Sequence, residues 1–369
     1  MDLLARAKQL ESEGRSIVHL EVGEPDFATA RPIVDAGIQA LRQLKTHYTA
    51  ATGLPELRQA IAGHYQRKFG LVIDPRRIVV TPGASGALQL ALSVLTDVGD
   101  NILLTDPGYP CNRNIAKVLG IDSIDVAVTA DTQYQFSAEH IKQHWSEKTR
   151  AAIVASPSNP TGTLIERDVM KALVKAVADA GGALIVDEIY QGLVYDVEEY
   201  TALSLSDDVF VVNSFSKYFG MTGWRLGWMV VPENYIDAVD RVAQNIFLAP
   251  PTISQHAALA AFESATDEIL QRRVAIFKER RDYLLPVLNE IGFKVSAQPQ
   301  GAFYVYADCS GITDDSFQWT KDLLEKEGVA VTPGIDFGEF EASTHVRFSY
   351  TRSIEELKRA MCRITRFIK

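Results

Sequence analysis

Lys217 follows directly on an apolar strand pattern, within Val211-Val212-Asn213-Ser214-Phe215-Ser216-Lys217-Tyr218-Phe219-Gly220-Met221-Thr222-Gly223-Trp224-Arg225-Leu226-Gly227-Trp228. An amine at the rim of a buried sheet, desolvated and beside another cation, has a depressed pKa and can form a Schiff base with a carbonyl. The hydroxyls of Ser214 and Ser216, and Arg225 eight residues beyond the lysine, offer hydrogen bonds and charge suited to a phosphate. The competing interpretation is a surface lysine on a polar loop. The density of aromatic residues and glycines around it argues against that.

Other segments carry compatible chemistry. Val80-Thr81-Pro82-Gly83-Ala84-Ser85-Gly86-Ala87 reads as strand, small-residue turn and helix, a place where free N–H groups can hold an anion. Taken alone it is an ordinary tight turn, and it only partly resembles the G-x-S-x-G nucleophile elbow, because Ala occupies position 87. Asp187 closes the apolar run Ala183-Leu184-Ile185-Val186, where a carboxylate can hold a proton on a ring nitrogen or simply cap a helix. Tyr190, three residues on, could donate to a ring oxygen. In Ser156-Pro157-Ser158-Asn159-Pro160-Thr161-Gly162 the asparagine before proline is biased to an extended backbone, which aims its amide; a plain turn is the alternative. Tyr109 could stack on a flat ligand or merely pack. Arg347, flanked by apolar residues in His345-Val346-Arg347-Phe348-Ser349-Tyr350, needs an anion, either a bidentate carboxylate ligand or an internal salt bridge. His140 and His144 lack the glutamate of a zincin motif, and the seven histidines suggest no metal site.

The elements that must position these residues alternate. Strand patterns at 77–81, 101–105, 123–128, 151–156, 183–187, 209–214 and 225–231 are separated by helical stretches such as 84–95 and 166–180. Continuous apolar strands between helices predict an α/β fold, a mostly parallel central sheet with helices on both faces and ligands beyond the strands' carboxyl ends. The last third reads as α+β: a long helix over 267–291 interrupted and kinked by Pro286, strands at 303–307 and 345–350, and a closing helix with Ile354, Leu357, Met361, Ile364 and Ile368 on one stripe. An N-terminal helix carrying Leu3, Ala7 and Leu10 is expected to join this smaller α+β domain.

The chain has 369 residues, 47% apolar and 23% charged, enough for a sizeable core and for two domains or one large domain with an appendage. Its net charge of −10 comes without a basic block, which disfavours nucleic acid as a partner. Three dispersed cysteines, no signal-peptide segment and no long apolar run predict a soluble, cytoplasmic protein with no membrane partner.

Taken together, the segments resemble the class I/II aminotransferases of the aspartate aminotransferase fold (fold type I), which use pyridoxal phosphate (PLP). The likeness spans nearly the whole chain in the family's order, from Leu20-Glu21-Val22-Gly23-Glu24-Pro25-Asp26-Phe27 and Tyr48-Thr49-Ala50-Ala51-Thr52-Gly53 onward, and the S-x-S-K…GWRLGW stretch is its most specific part. The resemblance implies a transaminase moving an amino group between an L-amino acid and a 2-oxo acid, ping-pong, through a Schiff base on Lys217. It implies that Asp187 pairs with the ring nitrogen, that Asn159 and Tyr190 bond the ring oxygen, and that Tyr109 stacks on the ring. The Ala84 and Ser85 amides, Ser214, Ser216 and Arg225 would hold the phosphate. Arg347 would grip the substrate carboxylate with Asn159 and the Gly23 backbone. Tyr48 would reach the neighbouring subunit's phosphate, making a homodimer with sites at its interface. The domains expected are 30–275 for the cofactor and 1–29 with 276–369 for the smaller one. Two departures stand out: relatives usually carry an arm before the first helix, which leaves dimer clasping and the start site open, and some aspartate-preferring relatives have a basic residue where Ser85 stands. The alternatives are a PLP-dependent carbon–sulfur β-lyase, a serine hydrolase using Ser85, and a non-catalytic sensor.

Overall fold

The computed structural model describes residues 2–369. After a two-residue strand β1 (Val18–His19), the chain supplies β2 (Ile78–Thr81), β3 (Asn101–Asp106), β4 (Asp122–Ala127), β5 (Thr149–Ala155), β6 (Ala183–Asp187), β7 (Phe210–Ser214) and β8 (Gly227–Val230). The last seven form one sheet in the order β2-β8-β7-β6-β5-β3-β4. Every pairing is parallel except those of β8, which runs antiparallel to β2 and β7. Strands β2, β6, β7 and β8 are buried at every position, as expected of a sheet covered on both faces.

One strand is shorter than the sequence pattern suggests. The run 225–231 was expected to be extended throughout, yet Arg225 has φ +53° and β8 begins at Gly227. Residues in the left-handed region cannot continue a strand, so the guanidinium is turned out of the sheet plane. Because β8 is antiparallel, its first residue lies beside the last residues of β2 and β7: Gly227 pairs with Thr81 and with Ser214. The turn after β2 and both ends of the β7–β8 connection therefore meet at one end of the sheet.

A second group of elements contains β9 (Tyr304–Asp308), β10 (Val329–Ala330), β11 (Thr332–Pro333) and β12 (His345–Ser349). Strands β11, β12 and β9 form an antiparallel sheet in that order, and β1 pairs in parallel with β10. The N-terminal helix Asp2–Ser12 packs Ala7 and Leu10 against Ile17, Leu324 and Ala330, where the sequence pattern put it. The closing helix Ile354–Ile368 starts in a Ser353–Glu356 capping box and buries Leu357, Met361 and Ile364.

The long helix differs from expectation. It runs from Ser264 to Glu290 as one element with Pro286 inside it, rather than being interrupted there. Proline removes one backbone hydrogen bond, but Arg281, Leu284 and Leu288 are buried around it, and tertiary packing outweighs that local loss. Among the described residues, no helix is long and apolar enough to cross a membrane, and no cluster of metal-ligating side chains occurs.

Candidate active site

The elements converge on Lys217, just past the end of β7. Its Nζ donates to the Gly23 carbonyl at 2.7 Å. Burial lowers its pKa to about 8; Arg347 and Arg225 push the same way, while Glu24 and Asp187 oppose them. Asp187, at the carboxyl end of β6, is 3% exposed. Its carboxylate accepts from the Ile189 N–H at 3.1 Å. Burial nevertheless pushes its pKa up to about 7, so full ionisation at neutral pH calls for a nearby cation.

The turn after β2 and the start of β8 form a cradle. Helix Gly83–Leu95 opens there with Gly83 at φ +74°. A Cβ on Gly83 would lie 2.7 Å from Arg225 Nη2, and one on Gly227 would lie 2.7 Å from the Ala84 nitrogen and 2.9 Å from the Asn213 carbonyl oxygen. Glycine is therefore required at 227 for the helix N-terminus and the strand ends to come so close, and at 83 by the left-handed φ. Arg225 donates to the Thr222 carbonyl at 3.0 Å and has no carboxylate partner among the described residues. Ser214 Oγ accepts from the Ser216 N–H at 3.0 Å, which fixes the turn that leads to Lys217. Free N–H groups at a helix start beside an unpaired guanidinium suit an anion.

Arg347 sits on β12, the middle strand of the three-stranded sheet, in register with Tyr306 on one side and Thr332 on the other. It is 6% exposed. Its Nη1 donates to Asn159 Oδ1 at 2.9 Å, and its Nη2 donates to the Glu21 carbonyl and to Thr332 Oγ1. Nε is buried without a partner. The internal salt bridge considered from the sequence is absent: no carboxylate pairs with this guanidinium among the described residues. A buried cation held only by neutral groups, with one N–H unsatisfied, is built to receive an anion.

Tyr304 was not singled out from the sequence, yet it joins the two halves of the site. Its hydroxyl lies 2.8 Å from that of Tyr190, and its ring lies 4.4 Å below the Arg347 guanidinium. Its hydroxyl also packs so closely on Gly23 that a Cβ there would approach to 2.1 Å. Strand periodicity offered a signal: on an antiparallel pair Tyr304, Tyr306 and Arg347 share a face once the register is known. That register is a tertiary fact. Beside Arg347 lies a cleft of about 580 Å³ that Gly23, Tyr109, Asn159 and Phe337 also line.

Among the expected residues, Tyr48 stands apart, and Ser85 joins the cradle through its position at the helix start but lacks the partner a nucleophile needs. Tyr48 is 81% exposed and touches none of this machinery within its own chain. Ser85 is exposed at the helix start, and its hydroxyl makes no hydrogen bond to a histidine, so the triad chemistry of a serine hydrolase has no geometric basis. His140 is half-buried and takes part in the capping box with Ser137 at the start of its own helix.

The family model described as "Aminotransferase class I and II" matches residues 15–364. The chain belongs to the class I and II aminotransferases. It is 39% identical to the (5-formylfuran-3-yl)methyl phosphate transaminase of Methanocaldococcus jannaschii over 371 residues, covering 100% of this chain and 96% of that protein. It is 38% identical to the valine–pyruvate aminotransferase of Mycobacterium tuberculosis over 366 residues, covering 99% and 94%. A solved structure of the aspartate aminotransferase from Thermus thermophilus with maleate superposes with a TM-score of 0.93 at 34% identity, covering 99% of this chain and 95% of that one. This aminotransferase is thus a transferase of nitrogenous groups. The names of these three relatives agree on the reaction and differ in the substrate.

Proposed function

We propose that this aminotransferase moves an amino group between an L-amino acid and a 2-oxo acid in a ping-pong cycle, with pyridoxal phosphate bound at Lys217. The observation that carries the reading is Arg347: a buried guanidinium with no acid partner and an unsatisfied Nε, near a lysine amine whose pKa is lowered to about 8. The residues fit the cofactor. Ala84 and Ser85 backbone amides, Ser214, Ser216 and Arg225 would hold a phosphate in the glycine-lined cradle. Asp187 would face a protonated ring nitrogen, the cation its burial calls for. Tyr190 and Asn159 would bond the ring oxygen, and Tyr109 would stack.

Pyridoxal phosphate, when bound, supplies an aldehyde carbon that takes up amines and a cationic ring that draws electrons from the Cα–H bond. The protein's part is positioning and proton transfer. Arg347 and Asn159, with the Gly23 backbone beside them, orient the substrate carboxylate. Lys217 Nζ would serve as the base that takes the Cα proton and as the acid that returns it to the carbon on the other side of the transferred nitrogen, a role suited to an amine whose pKa burial lowers to about 8. Asp187 would hold its negative charge against the ring nitrogen.

The proposed domains, 30–275 and 1–29 with 276–369, would bring Lys217, Asp187 and Asn159 from one side and Gly23 and Arg347 from the other. The exposed Tyr48 suits a homodimer in which it reaches the neighbouring site, and we take the protein to act in the cytoplasm. The test is spectroscopic. Purified protein should absorb in the near-visible, the band should bleach with particular L-amino acids, and borohydride should fix the cofactor on Lys217. Full turnover by Lys217→Ala would overturn the reading.

A further inference from the structure

The turn after β3 and the segment that follows β11 belong to different sheets, and one side chain ties them together. Asp106, the last residue of β3, is 6% exposed. Its Oδ2 accepts from the Glu339 N–H at 2.9 Å and from the Phe340 N–H at 3.1 Å. Two residues on, the Gly108 N–H donates to the Phe337 carbonyl at 2.9 Å. Gly338 makes room for this contact: a Cβ there would lie 1.6 Å from Asp106 Oδ1. Ile335, Asp336 and Glu339 are exposed, whereas Phe337 and Gly338, which meet the turn, are buried.

Both sides of this tie reach the cleft. Tyr109 on the turn and Phe337 on the segment line it beside Arg347, while Asp106 itself does not. The Arg347 guanidinium lies 4.4 Å from the Tyr304 ring and 4.8 Å from the Phe337 ring. Tyr304 is held within β9, but Phe337 belongs to no strand. We infer that Asp106 is a positioning residue for substrate binding: by fixing the 337–340 segment on the turn that carries Tyr109, it keeps Phe337 against Arg347 and the guanidinium aimed at the substrate carboxylate. A cation–π contact and a bidentate grip both depend on where the guanidinium plane lies. The inference rests on the proposed function, in that Arg347 must hold that carboxylate.

Half-reactions of the holoenzyme, followed through the cofactor's absorption, separate binding from chemistry. With the best L-amino acid donor, Asp106→Ala should raise the apparent Kd about tenfold and change the limiting rate by less than about threefold. Asp106→Asn keeps an acceptor for the two N–H groups and should recover most of that loss. Gly338→Ala, which pushes the carboxyl off its donors from the other side, should weaken the donor as Asp106→Ala does, and serves if that variant fails to fold. Methylamine reacts at the same cofactor carbon but has no carboxylate, so all these proteins should bind it alike. Hydrogen exchange gives a readout without turnover: the peptide spanning residues 334–343 should exchange faster in Asp106→Ala. The inference is overturned if Asp106→Ala or Gly338→Ala binds the donor like the wild type, or if exchange in that peptide is unchanged. It is equally overturned if methylamine binding falls in step, or if Asp106→Asn is as impaired as Asp106→Ala. In those cases an impaired Arg347→Lys leaves the proposed function standing. If Arg347→Lys binds the donor normally, or the wild type reacts with no amino acid, the proposed function falls and takes this inference with it.

Discussion

The hydroxyls of Tyr190 and Tyr304 lie 2.8 Å apart in the buried heart of the site, joining a residue just after β6 to the first residue of β9. Tyr304 also carries the Arg347 guanidinium on its ring face at 4.4 Å. One side chain thus links the residue proposed for the cofactor oxygen to the residue proposed for the substrate carboxylate. Tyr304→Phe keeps the ring and the cation–π contact but frees the Tyr190 hydroxyl. The loss of one neutral hydrogen bond is worth about 1 kcal/mol, so kcat/KM should fall roughly fivefold. The pH titration of the bound cofactor's absorption should shift as well, which a purely structural role would not produce. Tyr304→Ala, which also removes the platform under Arg347, should cost more than the phenylalanine variant and raise KM.

Arg347→Lys retains charge yet loses the planar fork that holds Asn159, Thr332 and the Glu21 carbonyl together. We expect kcat/KM to drop by about two orders of magnitude or more, corresponding to about 3 kcal/mol for a charge-assisted bidentate contact. Steady-state kinetics with a good donor measures this, and an unchanged circular dichroism spectrum would separate it from misfolding.

Asp187 and Lys217 predict an unusual pH profile for the cofactor-free protein. Asp187 titrates at about 7 when folded, well above an unfolded aspartate, so the native state binds more protons from about pH 4 to 7 and stability falls as pH rises through that window. Lys217 titrates at about 8, below an unfolded lysine, so the unfolded state binds more protons from about pH 8 to 10 and stability rises there. These two groups therefore place a minimum between about pH 7 and 8. Thermal melts of the cofactor-free wild type minus those of Asp187→Asn should isolate the acid limb. An acid limb of equal slope in both proteins would show that Asp187 does not create it.

Gly227→Ala tests the cradle. The new methyl would press on the Ala84 nitrogen and the Asn213 carbonyl, both backbone atoms that cannot swing aside. Overpacking of this kind costs about 1–3 kcal/mol, and here it must displace the helix start that faces the phosphate. Cofactor retention on dialysis should fall by tenfold or more, while the Gly311→Ala control, at a glycine outside the left-handed region whose nearest neighbour would lie 3.8 Å from the new methyl, should leave retention unchanged.

The sequence by itself determined the parallel α/β character of the large sheet, the family, and the residues at the ends of β6 and β7. Those features are local: an apolar run ending in Asp187 or in Ser214-Phe215-Ser216-Lys217 carries its meaning within a dozen residues. The tertiary structure decided how the pieces meet. It set β8 antiparallel, so that Gly227 falls between Thr81 and Ser214, and it turned Arg225 out of the strand. It gave Arg347 no acid partner among the described residues, brought Tyr304 under it, and left Glu21 with one buried, unsatisfied oxygen. Pairing register, burial and the partner of a charge depend on residues hundreds of positions away. No pattern along the chain encodes them until the strands have chosen their neighbours.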